Sequence, residues 1–230
     1  MVRYEMKYSI NEDAYSWLID RVMSHPALFK EIFHKRQVNN IYLDSIELDN
    51  YRANLRGSPA REKTRIRWYG DLFQTIDKPA LEIKRRFGLV GDKLSYPLNP
   101  IELSRQYCWQ AIVESQKTFA NQDNSESQVI IDKLSCQIPS IVNSYYRRYF
   151  LSANGKFRIT IDTEIKYFST NTRWINSSSV DESQIIMELK FDPVDAKEAP
   201  GISNYFPFRL ARNSKYVNGI NATVFSVIPQ

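Results

Sequence analysis

Glu62-Lys63-Thr64-Arg65-Ile66-Arg67-Trp68-Tyr69 is the stretch that decides the fold class. Lys63, Arg65, Arg67 and Tyr69 fall at every second position, with Thr64, Ile66 and Trp68 between them. A period of two is that of a strand, whose successive side chains point to opposite faces. One face of this strand is apolar and suits a core. The other repeats positive charge about every 7 Å. Repulsion at that spacing is weak in water but several-fold stronger where the dielectric is low. A solvated sheet face ordinarily mixes both signs; one such strand taken alone still reads as a solvated outer face, and an anion is needed only if several such faces converge.

The alternation recurs on both sides of that segment. Upstream, residues 2–8 place Val2, Tyr4, Met6 and Tyr8 opposite Arg3, Glu5 and Lys7. Asn11 is an expected N-cap for a helix with Ala14, Trp17, Leu18 and Val22 on one face, stopped by His25-Pro26. A strand is expected from Val38 to Asp44. Ser45 is then expected to cap a short helix with Leu48, Tyr51 and Leu55 on one side and Gly57 at its end. Downstream, residues 80–86 set Glu82, Lys84 and Arg86 against Leu81, Ile83 and Arg85. Residues 101–118 and 125–136 read as helices. Strands resume at 141–150, where Tyr145, Arg147 and Tyr149 share a side, at 156–163, with a further one at 164–168, and at 185–191. Residues 169–183 read as an exposed loop and 209–219 as a terminal helix carrying Arg209, Arg212 and Lys215. The expected class is α+β, dominated by antiparallel strands, in one domain over residues 1–230.

Composition narrows the function classes. A chain of 230 residues can bury a sizeable core. Its 31 Lys and Arg against 26 Asp and Glu give a net charge of +5, which suits an anionic partner without naming nucleic acid. Trp17, Trp68, Trp109 and Trp174 read as packing residues, since none joins a run of basic–aromatic pairs. Cys108 and Cys136 lack metal-ligand spacing and read as reduced, buried side chains. His25 and His34 read as solvent-facing or capping. No glycine belongs to a phosphate-binding loop ending in Gly-Lys-Ser/Thr. No apolar stretch is long enough to span a bilayer, and the charged start Met1-Val2-Arg3-Tyr4-Glu5 is not a signal peptide. The expectation is a cytoplasmic protein without a membrane span.

One pattern carries chemistry. Glu5-x-Lys7, Glu82-x-Lys84 and Glu188-x-Lys190 each put an acid and a base on the same face of a strand. If such faces converge with the cations of 62–69 and 156–163, a bound anion must neutralise them. Arginine's planar fork favours phosphate, and carboxylates can hold Mg²⁺ or Mn²⁺, which bridges phosphate oxygens.

The chain resembles the vacuolar transporter chaperone (VTC) domain, the polyphosphate polymerase branch of the CYTH-like triphosphate tunnel metalloenzymes. The resemblance rests on Arg3-x-Glu5-x-Lys7-Tyr8, Lys63-Thr64-Arg65-Ile66-Arg67-Trp68-Tyr69-Gly70, Glu82-Ile83-Lys84, Tyr145-x-Arg147, Arg158-Ile159-Thr160-Ile161-Asp162, Glu188-Leu189-Lys190 and Ser214-Lys215-Tyr216-x-x-Gly219. It implies an eight-stranded antiparallel tunnel with helices packed outside and a C-terminal helix near one mouth. It also implies transfer of the terminal phosphoryl group of ATP to a growing polyphosphate chain. Carried over motif by motif, Lys7, Arg65, Arg67, Lys84, Arg147, Arg158 and Lys215 would bind phosphate. Tyr145 and Ser214 would add hydroxyls, and Glu188 would hold a divalent Mn²⁺ or Mg²⁺. Glu5, Glu82, Lys93, Asp162, Lys190 and Arg212 are further candidates. The facing of Arg147 rather than Arg148 follows from its alternation with Tyr145. The implied partners are ATP and inorganic polyphosphate or triphosphate. Arg3 stands where the wider superfamily begins Glu-x-Glu-x-Lys, which favours polymerase over triphosphate hydrolase. A non-catalytic polyphosphate-binding module is the third reading.

Overall fold

The computed structural model describes residues 4–88, 90–119 and 125–225, so Val2, Arg3 and the break Asn121–Asn124 lie outside the described residues. In chain order the elements are β1 (Tyr4–Asn11), α1 (Tyr15–Met23), β2 (Lys30–Asp44), α2 (Asp49–Arg56), β3 (Ala60–Tyr69), β4 (Gln74–Ile76), β5 (Ala80–Phe87) and β6 (Val90–Pro97). They continue with β7 (Ile101–Leu103), α3 (Trp109–Phe119), α4 (Ser125–Cys136), β8 (Ile138–Leu151), β9 (Phe157–Ser169), β10 (Val180–Asp181), β11 (Gln184–Phe191), α5 (Ala199–Ser203) and α6 (Lys215–Ile220).

The chain divides into two compact units. The first comprises Met1–Gln37, Tyr145–Ile165 and Asp181–Ser214; the second comprises Val38–Ser144, Lys166–Val180 and Lys215–Gln230. Strands of the first run in the order β1-β11-β9-β8, and those of the second in the order β8-β2-β3-β5-β6. The ladders β1/β11, β11/β9, β2/β3, β3/β5 and β5/β6 are all antiparallel. The expected α+β class with antiparallel strands and accompanying helices is the one observed.

Alternation explains both cores. In the first unit Ile159 and Ile161 of β9, Met187 and Leu189 of β11 and Tyr8 and Ile10 of β1 pack with Leu18 and Val22 of α1. In the second, Ile66 and Trp68 of β3 and Leu81 and Ile83 of β5 pack with Ile41, Ile112, Val113 and Leu134. Each strand therefore turns its apolar positions inward and leaves its charged positions on the opposite face.

Several local expectations are corrected. Ile101–Leu103 is not helical: it pairs with β4, Gln74 opposite Leu103 and Ile76 opposite Ile101, so the helix begins only at Trp109. Strand β6 carries no clear alternation in the sequence, because Gly91, Asp92 and Pro97 break its apolar rhythm. Residues 156–163 and 164–168 belong to one strand, β9, which continues through Glu164 at φ 53°. The loop 169–183 contains the buried Ile175 and the short β10.

Residues 209–214 are extended rather than helical: Leu210 bridges Tyr8, and the Ala211 N–H donates to the Lys7 carbonyl. Competition from this β1 edge delays the helix to Lys215. Helix α2 starts at Asp49, whose N–H donates to Ser45 Oγ at 3.1 Å. Asp44 shares the capping: it accepts from the Asn50 N–H at Oδ1 and the Tyr51 N–H at Oδ2, each at 2.9 Å. Gly57, at φ 71°, closes that helix in the left-handed conformation that glycine takes without strain. Leu55 is exposed, against expectation. Both cysteines are exposed, not buried. His25 is buried, not solvent-facing. Trp68 and Trp109 pack in the core, whereas Trp17 and Trp174 are exposed.

Candidate functional site

In the second unit the β3/β5/β6 register sets Lys63 opposite Lys84 and Lys84 opposite Lys93, a row of lysines across three strands. In the adjoining row Arg65 lies opposite Glu82. Glu82 is buried, and its Oε2 accepts from Arg65 Nε at 2.8 Å and Nη2 at 2.6 Å. Arg67 Nη1 stands 3.5 Å from the same oxygen, and Lys93 Nζ lies 2.5 Å from Oε1. Burial alone would raise the Glu82 carboxyl, but Arg65, Arg67 and Lys93 together hold it well below the usual carboxylate range. Burial pulls the Lys93 ammonium below its usual value despite Glu82, and Arg65 and Arg67 add to that pull. One acid thus organises three cations, and Lys63 and Lys84 extend the same face.

Asparagines that sequence alone did not single out complete this face. Arg67 Nε donates to Asn40 Oδ1 at 2.9 Å, and Asn40 Nδ2 donates to Asn143 Oδ1 at 2.7 Å. Asn143 Nδ2 is left as a buried donor with no hydrogen-bond partner among the described residues. A buried donor without an acceptor is costly, and an anionic oxygen would satisfy it. The only signal was polar residues at the otherwise apolar strand positions 40 and 143. Tyr42 is a further addition: its hydroxyl accepts from Arg65 Nη1 at 3.2 Å.

The C-terminal motif has a mechanical explanation within the same unit. Tyr216 stacks on Tyr42, with ring centroids 4.9 Å apart, and its hydroxyl donates to the buried Asp44. Burial and the Asp44 carboxylate push the Tyr216 hydroxyl far above its usual range. Gly219 faces Ile141 and Tyr167, and an added Cβ would stand 2.1 Å from Ile141 Cδ1. Glycine is needed here for close approach of the helix backbone. These two contacts fix the short α6, whose first residue is the buried Lys215.

In the first unit, the register aligns Lys7 with Glu188 and Glu188 with Thr160, and aligns Glu5 with Lys190 and Lys190 with Arg158. Lys7 Nζ sits 3.0 Å from Glu5 Oε1 and 3.1 Å from Glu188 Oε1, and donates to the Asn213 carbonyl at 3.1 Å. Burial would lower the Lys7 ammonium, but Glu188 and Glu5 hold it above its usual value. Lys190 Nζ lies 2.6 Å from Glu188 Oε2, and Arg147 Nη2 is 3.8 Å from that oxygen. Arg147 itself is buried against Asp162, while Arg148 pairs with Glu31 on the other side of the strand. Tyr145 is buried with its ring centroid 5.2 Å from the Arg147 guanidinium. Arg158 is exposed and forms no ion pair among the described residues, and Arg212 is exposed as well. Ser214 precedes α6 at the end of the extended segment.

The structure therefore groups the candidates into two sets. Glu5, Lys7, Tyr145, Arg147, Asp162, Glu188 and Lys190 lie together in the first unit, with Arg158 in register. Arg65, Arg67, Glu82, Lys84 and Lys93 lie together in the second. Among the described residues no three His, Cys, Asp or Glu side chains form a ready-made metal cage. Glu5 and Glu188 nevertheless meet at Lys7. Two carboxylates suit a hard cation that takes its remaining ligands from phosphate and water, as Mg²⁺ commonly does. No helix of the described residues is long and apolar enough to cross a membrane.

Comparison with known proteins places these observations. Among solved structures, the candidate adenylyl cyclase HpAC1 from Hippeastrum, described as having a dominant triphosphatase activity, superposes with a TM-score of 0.54 at 14% identity, covering 97% of each chain. A candidate adenylate cyclase from Vibrio parahaemolyticus gives a TM-score of 0.52 at 12% identity, covering 95% of this chain and 98% of its own. A third, from Bacillus halodurans, gives 0.50 at 12% identity, with 93% and 96% covered. At these identities the likeness is one of fold. No curated protein matches. The family profile described as the VTC domain matches residues 2–224, nearly the whole chain, and the protein belongs to the VTC domain family.

Proposed function

We propose that this domain transfers the terminal phosphoryl group of ATP to the end of a polyphosphate chain, with Mn²⁺ or Mg²⁺ as its cation. The observation that carries this reading is the row Lys63, Lys84 and Lys93 beside Arg65 and Arg67, all on one strand face with a single buried acid. A linear polyanion presents negative oxygens at regular intervals, and such a row is matched to it better than to a compact monovalent anion.

In the proposed reaction a terminal oxygen of the chain attacks the γ-phosphorus of ATP. The bond from that phosphorus to the β–γ bridging oxygen breaks, and ADP leaves with the electron pair. One phosphoanhydride replaces another, so the supply of ATP and polymer sets the direction. No protein nucleophile is required, because phosphoryl transfer responds mainly to positioning and to neutralisation of the equatorial oxygens. Arg65, Arg67 and Lys84 of the second unit, with Lys93 and Lys215, and Arg147 and Arg158 of the first, with Lys7 and Lys190, serve as the phosphate-binding cations. Tyr145, Ser214 and Arg212 are assigned to the same binding surfaces. Glu82 and Asp162 hold arginines in place. Glu188, with Glu5, would hold the cation, which supplies charge neutralisation at the reacting phosphates.

Hydrolysis is the second reading, supported by the triphosphatase activity described for HpAC1. Arg3, in place of the acid that opens the superfamily motif, favours the polymerase. Incubation of the purified protein with ATP and Mn²⁺ or Mg²⁺, with gel staining for polymer and an assay for orthophosphate, separates the two. The proposal expects polymer. Orthophosphate alone selects the hydrolase, and neither product selects a passive binder.

A further inference from the structure

The first unit holds an aromatic–cation ladder that starts at Arg147 and runs on through side chains that the phosphate-binding assignments do not use. Phe33, on the N-terminal part of β2, is 45% exposed, a large fraction for a phenylalanine in a strand. Its ring meets Tyr149 of β8 edge-on, with centroids 5.6 Å apart at 85°. The Arg36 guanidinium lies 4.2 Å from the Phe33 centroid and 5.9 Å from that of Tyr149. Tyr149 is also 5.9 Å from the Arg147 guanidinium, and Arg147 stands beside Glu188. Alternation places Tyr149 on the face of β8 that carries Tyr145 and Arg147. The ladder Arg147–Tyr149–Phe33–Arg36 thus begins at the candidate phosphate cluster and ends at an open ring.

Packing alone would bury such a ring or make it amphipathic. Lys35, the neighbour on the opposite side, instead lies over Tyr146 and pairs with Glu164, so the two sides of the strand have separate partners. An exposed aromatic ring with a guanidinium on its face offers π-stacking and cation–π contact, the chemistry that holds a flat heterocycle. Neither contact attracts a phosphate chain.

We propose that Phe33, Arg36 and Tyr149 form the subsite for the purine base of the nucleotide donor, with its phosphates directed toward Arg147. This rests on the reading of ATP as donor. The subsite gives the domain a means of telling a nucleotide from polyphosphate of similar charge. Phe33 is the position that determines it, and Arg36 is the closing cation.

The test is titration calorimetry of a non-hydrolysable ATP analogue and of tripolyphosphate into wild type, Phe33→Ala and Phe33→Tyr. Base–aromatic stacking predicts that Phe33→Ala weakens the nucleotide about tenfold, while Phe33→Tyr retains it. Tripolyphosphate, which has no base, should bind all three proteins within about twofold. Unchanged nucleotide affinity in Phe33→Ala, or an equal loss for both ligands, overturns the subsite while leaving the phosphate reading intact. Failure of wild type to bind the nucleotide at all overturns the donor reading and the subsite with it. Phe33 is partly exposed, so unchanged thermal midpoints are expected and confirm that affinities are compared between folded proteins.

Discussion

Asp162 engages Arg147 at two points, Nε to Oδ1 at 2.5 Å and Nη2 to Oδ2 at 2.6 Å, and thereby holds the guanidinium 3.8 Å from Glu188. Burial works against the Arg147 charge, yet Asp162 and Glu188 keep it firmly protonated. In the proposed reading Asp162 acts on phosphate only through Arg147. Asp162→Ala leaves a buried guanidinium short of its main partner, and loss of one member of a buried pair costs about 3 kcal/mol. Urea denaturation should show that loss, and added tripolyphosphate should restore part of it. Stability equal to wild type would remove Asp162 from its assigned role.

Glu82 pairs with Arg65, Arg67 and Lys93, and in the proposed reading it both positions these cations and neutralises their face until an anion binds. Glu82→Gln leaves Arg65, Arg67 and Lys93 to repel one another. The expected result is a lower thermal midpoint without ligand and a larger upward shift with tripolyphosphate than in wild type. A smaller shift in the variant would mean that Glu82 contributes to binding in another way.

Gly219→Ala tests the mechanical basis of the C-terminal motif. The new methyl group would overlap Ile141 and approach Tyr167 Cδ1, which stands 2.7 Å from the added Cβ position. Overpacking of this kind costs about 1–3 kcal/mol. Because α6 also carries Lys215, tripolyphosphate affinity should fall together with the thermal midpoint. Loss of stability with unchanged affinity would separate Lys215 from phosphate binding.

His25 gives the fold a defined acid sensitivity. Its Nδ1 accepts from the Ala27 N–H at 2.9 Å, and Nε2 lies 3.3 Å from the Ile202 carbonyl, so the ring is neutral with Nε2 as donor. Burial lowers its pKa below the ordinary 6.5, against the Ile202 carbonyl. The unfolded chain therefore takes up the proton first. Stability is fully present above pH 6.5 and declines as the pH falls from there toward the lower folded value. Urea midpoints at pH 7 and pH 5 should fall more for wild type than for His25→Gln. Equal falls would show that other groups carry the pH dependence.

Strand faces were legible because alternation depends on side-chain direction alone: Thr64, Ile66 and Trp68 are buried, and Lys63, Arg65 and Arg67 share the other face. The grouping of Glu5 with Lys7 and Glu188 with Lys190 was legible for the same reason. What escaped depended on contacts distant in sequence. Residues 209–214 carry a helical spacing of cations, but the Lys7 carbonyl captures the Ala211 N–H and holds the segment extended. Asn40 and Asn143 are ordinary polar residues until pairing brings their amides together beside Arg67. The cap from Asp44 was hidden because its carboxylate reaches past Ser45 to Asn50 and Tyr51.

Titration calorimetry of tripolyphosphate into wild type and the Arg65→Ala/Arg67→Ala double variant examines whether these cationic faces exist to hold a phosphate chain. Charge-assisted hydrogen bonds contribute about 1.5–3 kcal/mol each, so affinity should fall at least roughly a hundredfold in a variant that remains folded. A folded double variant that binds tripolyphosphate as tightly as wild type would contradict the assignment.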